Sequence, residues 1–168
     1  MAELVKVVVD AMGGDLAPVE PVKAAVEAVK ERKDILVILT GQEEVIHSDL
    51  KKYPTDRIQV VNATEVIETA EPPVFAIRKK KDSSIVVGLK MVKEQKADAF
   101  VSSGSTGAVL VGGQVLVGRS KGVERPPLAP LIPTAKGVSL LIDCGANVDA
   151  RPSHLVQFAK MGSIYMEH

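Results

Sequence analysis

The sequence has little of what several specialised chemistries require. One of its 168 residues is cysteine, Cys144, none is tryptophan, and aromatic side chains make up only 3%. A single thiol cannot close an internal disulfide, which predicts a reducing, cytoplasmic setting. So few rings leave little for bases to stack on. With 21 basic residues balancing 21 acidic ones, net charge gives no pull toward nucleic acid either. The longest apolar stretch, Ala108 to Val117, is interrupted by Gly112, Gly113 and Gln114. It falls well short of the ~20 residues that span a bilayer. The opening Met1-Ala2-Glu3-Leu4 lacks the basic and then apolar order of a secretory signal. His47, His154 and His168 are scattered, so no metal site is expected. G-x-x-x-x-G-K-[ST], a G-x-G-x-x-G after the first strand, and G-x-S-x-G are all missing. Their absence argues against a Walker-type site, the standard dinucleotide fingerprint and the hydrolase elbow. No cofactor is expected.

What is present reads as a globular α/β chain, with 46% hydrophobic and 25% charged residues. Leu4 to Val9 is rich in β-branched residues. Val19, Val22, Val26 and Val29 then follow at helical spacing. Ile35 to Leu39 is a continuous apolar run, as expected of a strand covered on both faces. A polar helix over Gln42 to Tyr53, a strand at Ile58 to Val61 and a helix capped by Ser83 or Ser84 come next. Ala99 to Val101 is a short strand, and Thr106 to Val117 a helix of small residues. A proline-rich connection leads to an expected buried strand, Val138 to Ile142, and Pro152 opens a last helix. This alternation predicts right-handed crossovers in one α/β domain over residues 1–168: a mainly parallel, doubly wound sheet with helices on both faces.

In such sheets ligands bind beyond the carboxyl ends of the strands, and three loops here fall at such ends. In Asp10-Ala11-Met12-Gly13-Gly14-Asp15, paired glycines let the backbone pass close to a ligand, or simply make a tight turn before a capped helix. Ser102-Ser103-Gly104-Ser105-Thr106-Gly107-Ala108 sets hydroxyls beside the N–H groups of a helix start. That is more than an ordinary cap requires, and it suits a bound dianion. Asp143-Cys144-Gly145-Ala146-Asn147 offers an acid and an amide. Cys144 has no basic neighbour in sequence, and packing is its expected role. Arg78-Lys79-Lys80-Lys81 reads as a solvated face, a fold-back onto phosphate, or a docking patch for an acidic protein.

Taken in order, Val8 to Asp15, Arg78 to Ser84, Ser102 to Ala108, Arg125-Pro126-Pro127, Asp143 to Asn147 and His154 to Ala159 resemble the PlsX-type phosphate acyltransferases of bacterial phospholipid synthesis. The likeness runs from Val5 to the end of the chain. It implies a fold like those of phosphate acetyltransferases and isocitrate dehydrogenases. It also implies transfer of a fatty acyl group from acyl carrier protein to inorganic phosphate, in a cytosolic homodimer loosely attached to the membrane. Members of that family are much longer, so the chain is expected to be an N-terminal portion.

The hydroxyl-rich loop and the resemblance together suggest candidate roles. Ser105, Thr106 and Asn147 are the candidate catalytic residues. Asp10, Gly13, Gly14, Asp15, Arg78, Ser103, Gly104, Gly107 and Asp143 are the candidate substrate-binding residues. Two alternatives stand beside this reading. One is a metal- and nicotinamide-dependent dehydrogenase of similar fold; the other is a non-catalytic module that binds phosphate or carrier protein.

Overall fold

The computed structural model describes residues 4–54 and 56–167. The expectations attached to Met1–Glu3 and to His168 lie outside the described residues. The chain divides into two compact units, Met1–Gly118 and Arg119–His168.

In the first unit, strands β1 (Val5–Asp10), β2 (Ile35–Gly41), β3 (Ile58–Asn62) and β4 (Ala99–Val101) form one sheet in the order β3-β2-β1-β4. All three pairings are parallel, and the register sets Val8 beside Ile38 on one side and Phe100 on the other. Alternate residues of each strand face opposite ways, so the sheet carries two apolar faces. Val9, Val37, Leu39 and Val60 meet Val22, Val26 and Val29 of α1 (Val19–Glu31) and Ile46 and Leu50 of α2 (Glu43–Leu50). Val8, Ile38 and Val61 meet Met91 and Val92 of α4 (Ser84–Lys93). Each such side chain removed from water contributes ~1.5–3 kcal/mol, which is why a run like Ile35–Gly41 needs cover on both sides. The doubly wound α/β arrangement is the one the alternation predicts.

Ser83 caps α4, its side chain accepting the Val86 N–H at 3.4 Å. A helix not foreseen in the sequence, α3 (Pro73–Lys79), precedes it and buries Ala76 and Ile77. The small-residue helix begins where expected, as α5 (Thr106–Gly112), but continues over Gly113–Val117 as a π-helical turn.

The second unit departs further from expectation. Val138 to Ile142 does not form a buried strand. Instead β5 (Leu131–Thr134) and β6 (Gly137–Leu140) make an antiparallel hairpin, and Leu131 and Val138 are exposed. The final helix, α6 (Pro152–Glu167), buries His154, Phe158 and Gly162, while Leu155 and Val156 face out. The Gln157 side chain accepts the Glu124 N–H at 2.9 Å and donates to the Gly122 carbonyl at 3.1 Å. His154 Nδ1 accepts the Arg151 N–H at 3.2 Å, which leaves Nε2 toward Glu124 at 3.1 Å.

Candidate functional site

The winding runs outward from β1 through β2 to β3 and then returns to place β4 on the other side of β1. The loops after β1 and β4 therefore leave neighbouring strands in opposite directions, and the crevice between them is the place where such sheets hold ligands. The Asp10–Asp15 loop and the Ser102–Gly107 loop meet in that crevice.

Their meeting is tight. A Cβ on Gly13 would lie 2.5 Å from Asp10 Oδ2, 2.7 Å from the Gly104 nitrogen and 2.9 Å from Ser102 Oγ. A Cβ on Gly104 would lie 3.2 Å from the Gly13 Cα. Two glycines thus face each other: Gly13 has no room for a side chain, and Gly104 could take a Cβ only if its neighbours gave way by a few tenths of an ångström. Gly14 adopts φ +99°, a backbone that any other residue would strain to reach.

Beneath this crossing lies a buried relay. Asp10 is only 2% exposed. Its Oδ1 accepts the Met12 N–H at 3.0 Å, and its Oδ2 accepts the Ser102 hydroxyl at 2.7 Å. Ser102 Oγ in turn accepts the Gly104 N–H at 2.9 Å. Through these bonds Asp10 and Ser102 tie both loops to the end of β1 and satisfy polar groups that water reaches poorly. Ser102, which the sequence reading does not single out, is the link; nothing local marks it, because its partner is 92 residues away.

Above the relay the structure separates the hydroxyls. Ser105 is 3% exposed and its Oγ accepts the Ala108 N–H at 3.3 Å, so it caps α5. Ser103 and Thr106 are exposed. Among the described residues, the N–H groups of Ser105, Thr106 and Gly107 form no hydrogen bond. These are the orphan donors of a helix start, at the positive end of its dipole. Gly107 also has a packing role: a Cβ there would sit 2.6 Å from Pro73 Cγ, so α3 begins directly against the first turn of α5.

On the side facing α1, a cleft of ≈ 430 Å³ is lined by Gly13, Gly14, Asp15, Glu20 and Ser103. Asp15 and Glu20 bring two carboxylates to this lining and no basic side chain is among its residues, so its charge opposes an anion. Arg78 is exposed in the last turn of α3, and among the described residues no hydrogen bond or ion pair ties it to the Ser102–Gly107 loop.

In the second unit, Asp143 and Asn147 are bound to each other. Asp143 Oδ1 accepts the Leu128 N–H at 2.6 Å, and Oδ2 accepts the Asn147 N–H at 2.7 Å and Nδ2 at 3.2 Å. Asn147 Nδ2 also donates to the Pro126 carbonyl at 3.1 Å, while its buried Oδ1 has no partner among the described residues. Desolvation works to raise the Asp143 pKa, but hydrogen bonds from Leu128, Asn147 and Ala146 outweigh it and hold the carboxyl below its ordinary value. Cys144 donates its N–H to the Leu128 carbonyl at 2.8 Å, as part of the same strap.

Residues 5–168 match the sequence profile of the family described as fatty acid synthesis protein. A protein of Alkaliphilus oremlandii named phosphate acyltransferase is 55% identical over 164 residues, covering 96% of this chain and 49% of the relative. One of Clostridium novyi with the same name is 52% identical over 165 residues, covering 97% and 50%. The chain thus spans about half the length of the curated relatives it matches. Among solved structures, a phosphotransacetylase from Streptococcus pyogenes superposes with a TM-score of 0.67 at 19% identity, over 93% of this chain and 51% of that one. The EutD phosphotransacetylase from Staphylococcus aureus gives 0.66 at 21% identity over the same shares. These superpositions establish the fold as an α/β type shared with those enzymes. On the match across residues 5–168, the chain belongs to the fatty acid synthesis protein family.

Proposed function

We propose that this chain carries the phosphate-holding loops of an enzyme that moves a fatty acyl group from an acyl carrier protein to inorganic phosphate. The observation that carries the reading is the Gly13–Gly104 crossing at the switch point. There the N–H groups of Ser105, Thr106 and Gly107 stand open beside two exposed hydroxyls. An oxyanion set over that turn gains several hydrogen bonds without a lysine. The relatives' name, phosphate acyltransferase, supplies the reaction class that such a site would serve.

The chemistry asks little of the protein beyond placement. Phosphate is itself a nucleophile: one of its oxygens attacks the thioester carbonyl carbon, the C–S bond breaks, and the thiolate leaves and takes a proton. No acyl-enzyme is needed. The Asp10–Ser102–Gly104 relay acts as a positioning element, holding the turn rigid so that orientation is settled before the reaction begins. Thr106 and the neighbouring amides are the groups that touch phosphate or the developing oxyanion. Ser105 acts through the cap it gives α5, and the Asp143–Asn147 pair orders its own strap.

The experiment is formation of acyl phosphate from acyl carrier protein and phosphate, trapped as the hydroxamate with hydroxylamine. It is run on this chain and on a version extended to the relatives' length. Hydroxamate that depends on phosphate and falls with Thr106→Ala supports the reading. No phosphate-dependent hydroxamate above the background that hydroxylamine draws from the thioester without protein, or a phosphate-dependent rate untouched by Thr106→Ala in a folded protein, removes the loop from the site.

A further inference from the structure

A chain with balanced charge collects four cations in four consecutive positions, Arg78 to Lys81, and the structure shows how few of them are neutralised. Lys80 turns inward, donating to the Val66 carbonyl at 2.6 Å and pairing with Glu71. Asp82, the acid beside the run, accepts both the N–H and the hydroxyl of Thr64, at 3.0 and 2.6 Å. Among the described residues, Arg78, Lys79 and Lys81 form no ion pair, and all three are exposed. Lys90 of α4 adds a further ammonium, donating to the Lys81 carbonyl at 3.3 Å.

A purely solvated face needs no apolar side chains, yet α3 exposes two. Val74 is 52% and Phe75 59% accessible, and Lys79 Nζ lies 5.9 Å over the Phe75 ring. Adjacent exposed hydrophobes that share a helix with exposed Arg78 and Lys79 suit a protein partner with an acidic, partly apolar surface. Position matters as much as composition. Pro73 at the start of α3 packs on Gly107, so this surface borders the α5 first turn.

We infer that the exposed face of α3 and the turn after it is the docking surface for the acidic carrier that delivers the acyl thioester. The inference rests on the proposed function above and adds to it the place of docking. Attraction between this patch and carboxylates on the carrier brings the thioester to the mouth of the loop, offsetting the repulsion between an acidic protein and a bound phosphate. A membrane fits the patch less well. Two apolar side chains on a helix of seven residues make a poor anchor in a lipid interface.

The test is binding of apo acyl carrier protein, which lacks the prosthetic arm and fatty chain, to the whole chain at low and moderate salt. Binding that weakens about tenfold with Lys79→Glu combined with Lys81→Glu supports the inference. It should also weaken on replacing Val74 and Phe75 by serine and fade as ionic strength screens the surface. Undiminished binding by the reversed variant, no binding by the unmodified chain, or binding only to vesicles of anionic phosphatidylglycerol overturns it. Inorganic phosphate affinity, measured on the unmodified chain alone, tests the phosphate-holding part of the proposed function separately. Carrier docking and phosphate holding can therefore fail one without the other.

Discussion

Gly13 and Gly104 approach each other so closely that one methyl group is a decisive perturbation. In Gly13→Ala the new Cβ meets the backbone nitrogen of Gly104 at 2.7 Å and, at 2.5 Å, Oδ2 of the buried Asp10 carboxyl, which the Ser102 hydroxyl holds in place. The loops must part, at a cost of ~1–3 kcal/mol for overpacking. The expected outcome is a lower melting temperature together with lost phosphate affinity, checked by thermal unfolding and a phosphate titration. Ser105 and Thr106, adjacent in sequence, should behave differently. Ser105→Ala removes the α5 cap and lowers stability by about 1 kcal/mol. Thr106→Ala, at an exposed site, should leave the melting temperature nearly unchanged while weakening phosphate binding. Equal effects on both measurements would show that the two hydroxyls share one role. The sequence marked this loop as rich in hydroxyls but could not divide them, because the division depends on which side chain turns back onto the helix. Nor could it reveal Ser102, whose meaning comes from Asp10 on a distant strand.

Elements read well where their periodicity was strong and poorly where a short turn decided the outcome. The four parallel strands and α1 lie close to their expected places, since runs such as Ile35–Gly41 have few other ways to be buried. The β5–β6 hairpin was missed for a physical reason. Its two-residue connection is Ala135-Lys136 rather than a glycine–asparagine pair, and Pro133 disguises β5 as a linker. Helix α3 was missed because it is only seven residues long and ends in the basic run. Arg57 tests how one element is closed. Its guanidinium donates to the Arg32 carbonyl at 2.7 Å, the Ile35 carbonyl at 3.1 Å and the Val29 carbonyl, joining the end of α1 to β2. Arg57→Ala should cost ~1.5–3 kcal/mol, visible as earlier urea unfolding, whereas a midpoint that does not move would mean water replaces these bonds fully. The Asp143 strap gives a pH prediction for the second unit. Its folded pKa lies below the ordinary 3.8, so its stabilisation is fully present above that value. The stabilisation is then lost as pH falls through the lower folded pKa. A carbon-detected NMR titration should place the Asp143 midpoint below 3.8, and Asp143→Asn should abolish the acid-linked change in stability of this unit.

At the scale of the whole molecule, fold and site follow from one topological fact. Strand order β3-β2-β1-β4 reverses at β1, and two of the three loops that the sequence made conspicuous, Asp10–Asp15 and Ser102–Gly107, leave the sheet at that reversal, while the third follows the separate β5–β6 hairpin. The alternation of strand-like and helix-like runs foretold the α/β class. The crossing of two glycines, the buried relay and the open amides could be read only once the strands had been placed side by side. If those amides hold phosphate, ligand binding adds to stability by mass action, about 2.7 kcal/mol at a hundredfold excess over the dissociation constant. The most direct measurement is an amide-resolved NMR titration of the chain with inorganic phosphate, using chloride at matched ionic strength as the control. The account predicts saturable shifts centred on Gly13, Gly14 and residues 103–107 with phosphate alone. Shifts confined to other residues, or none at these amides in a folded chain, would contradict it.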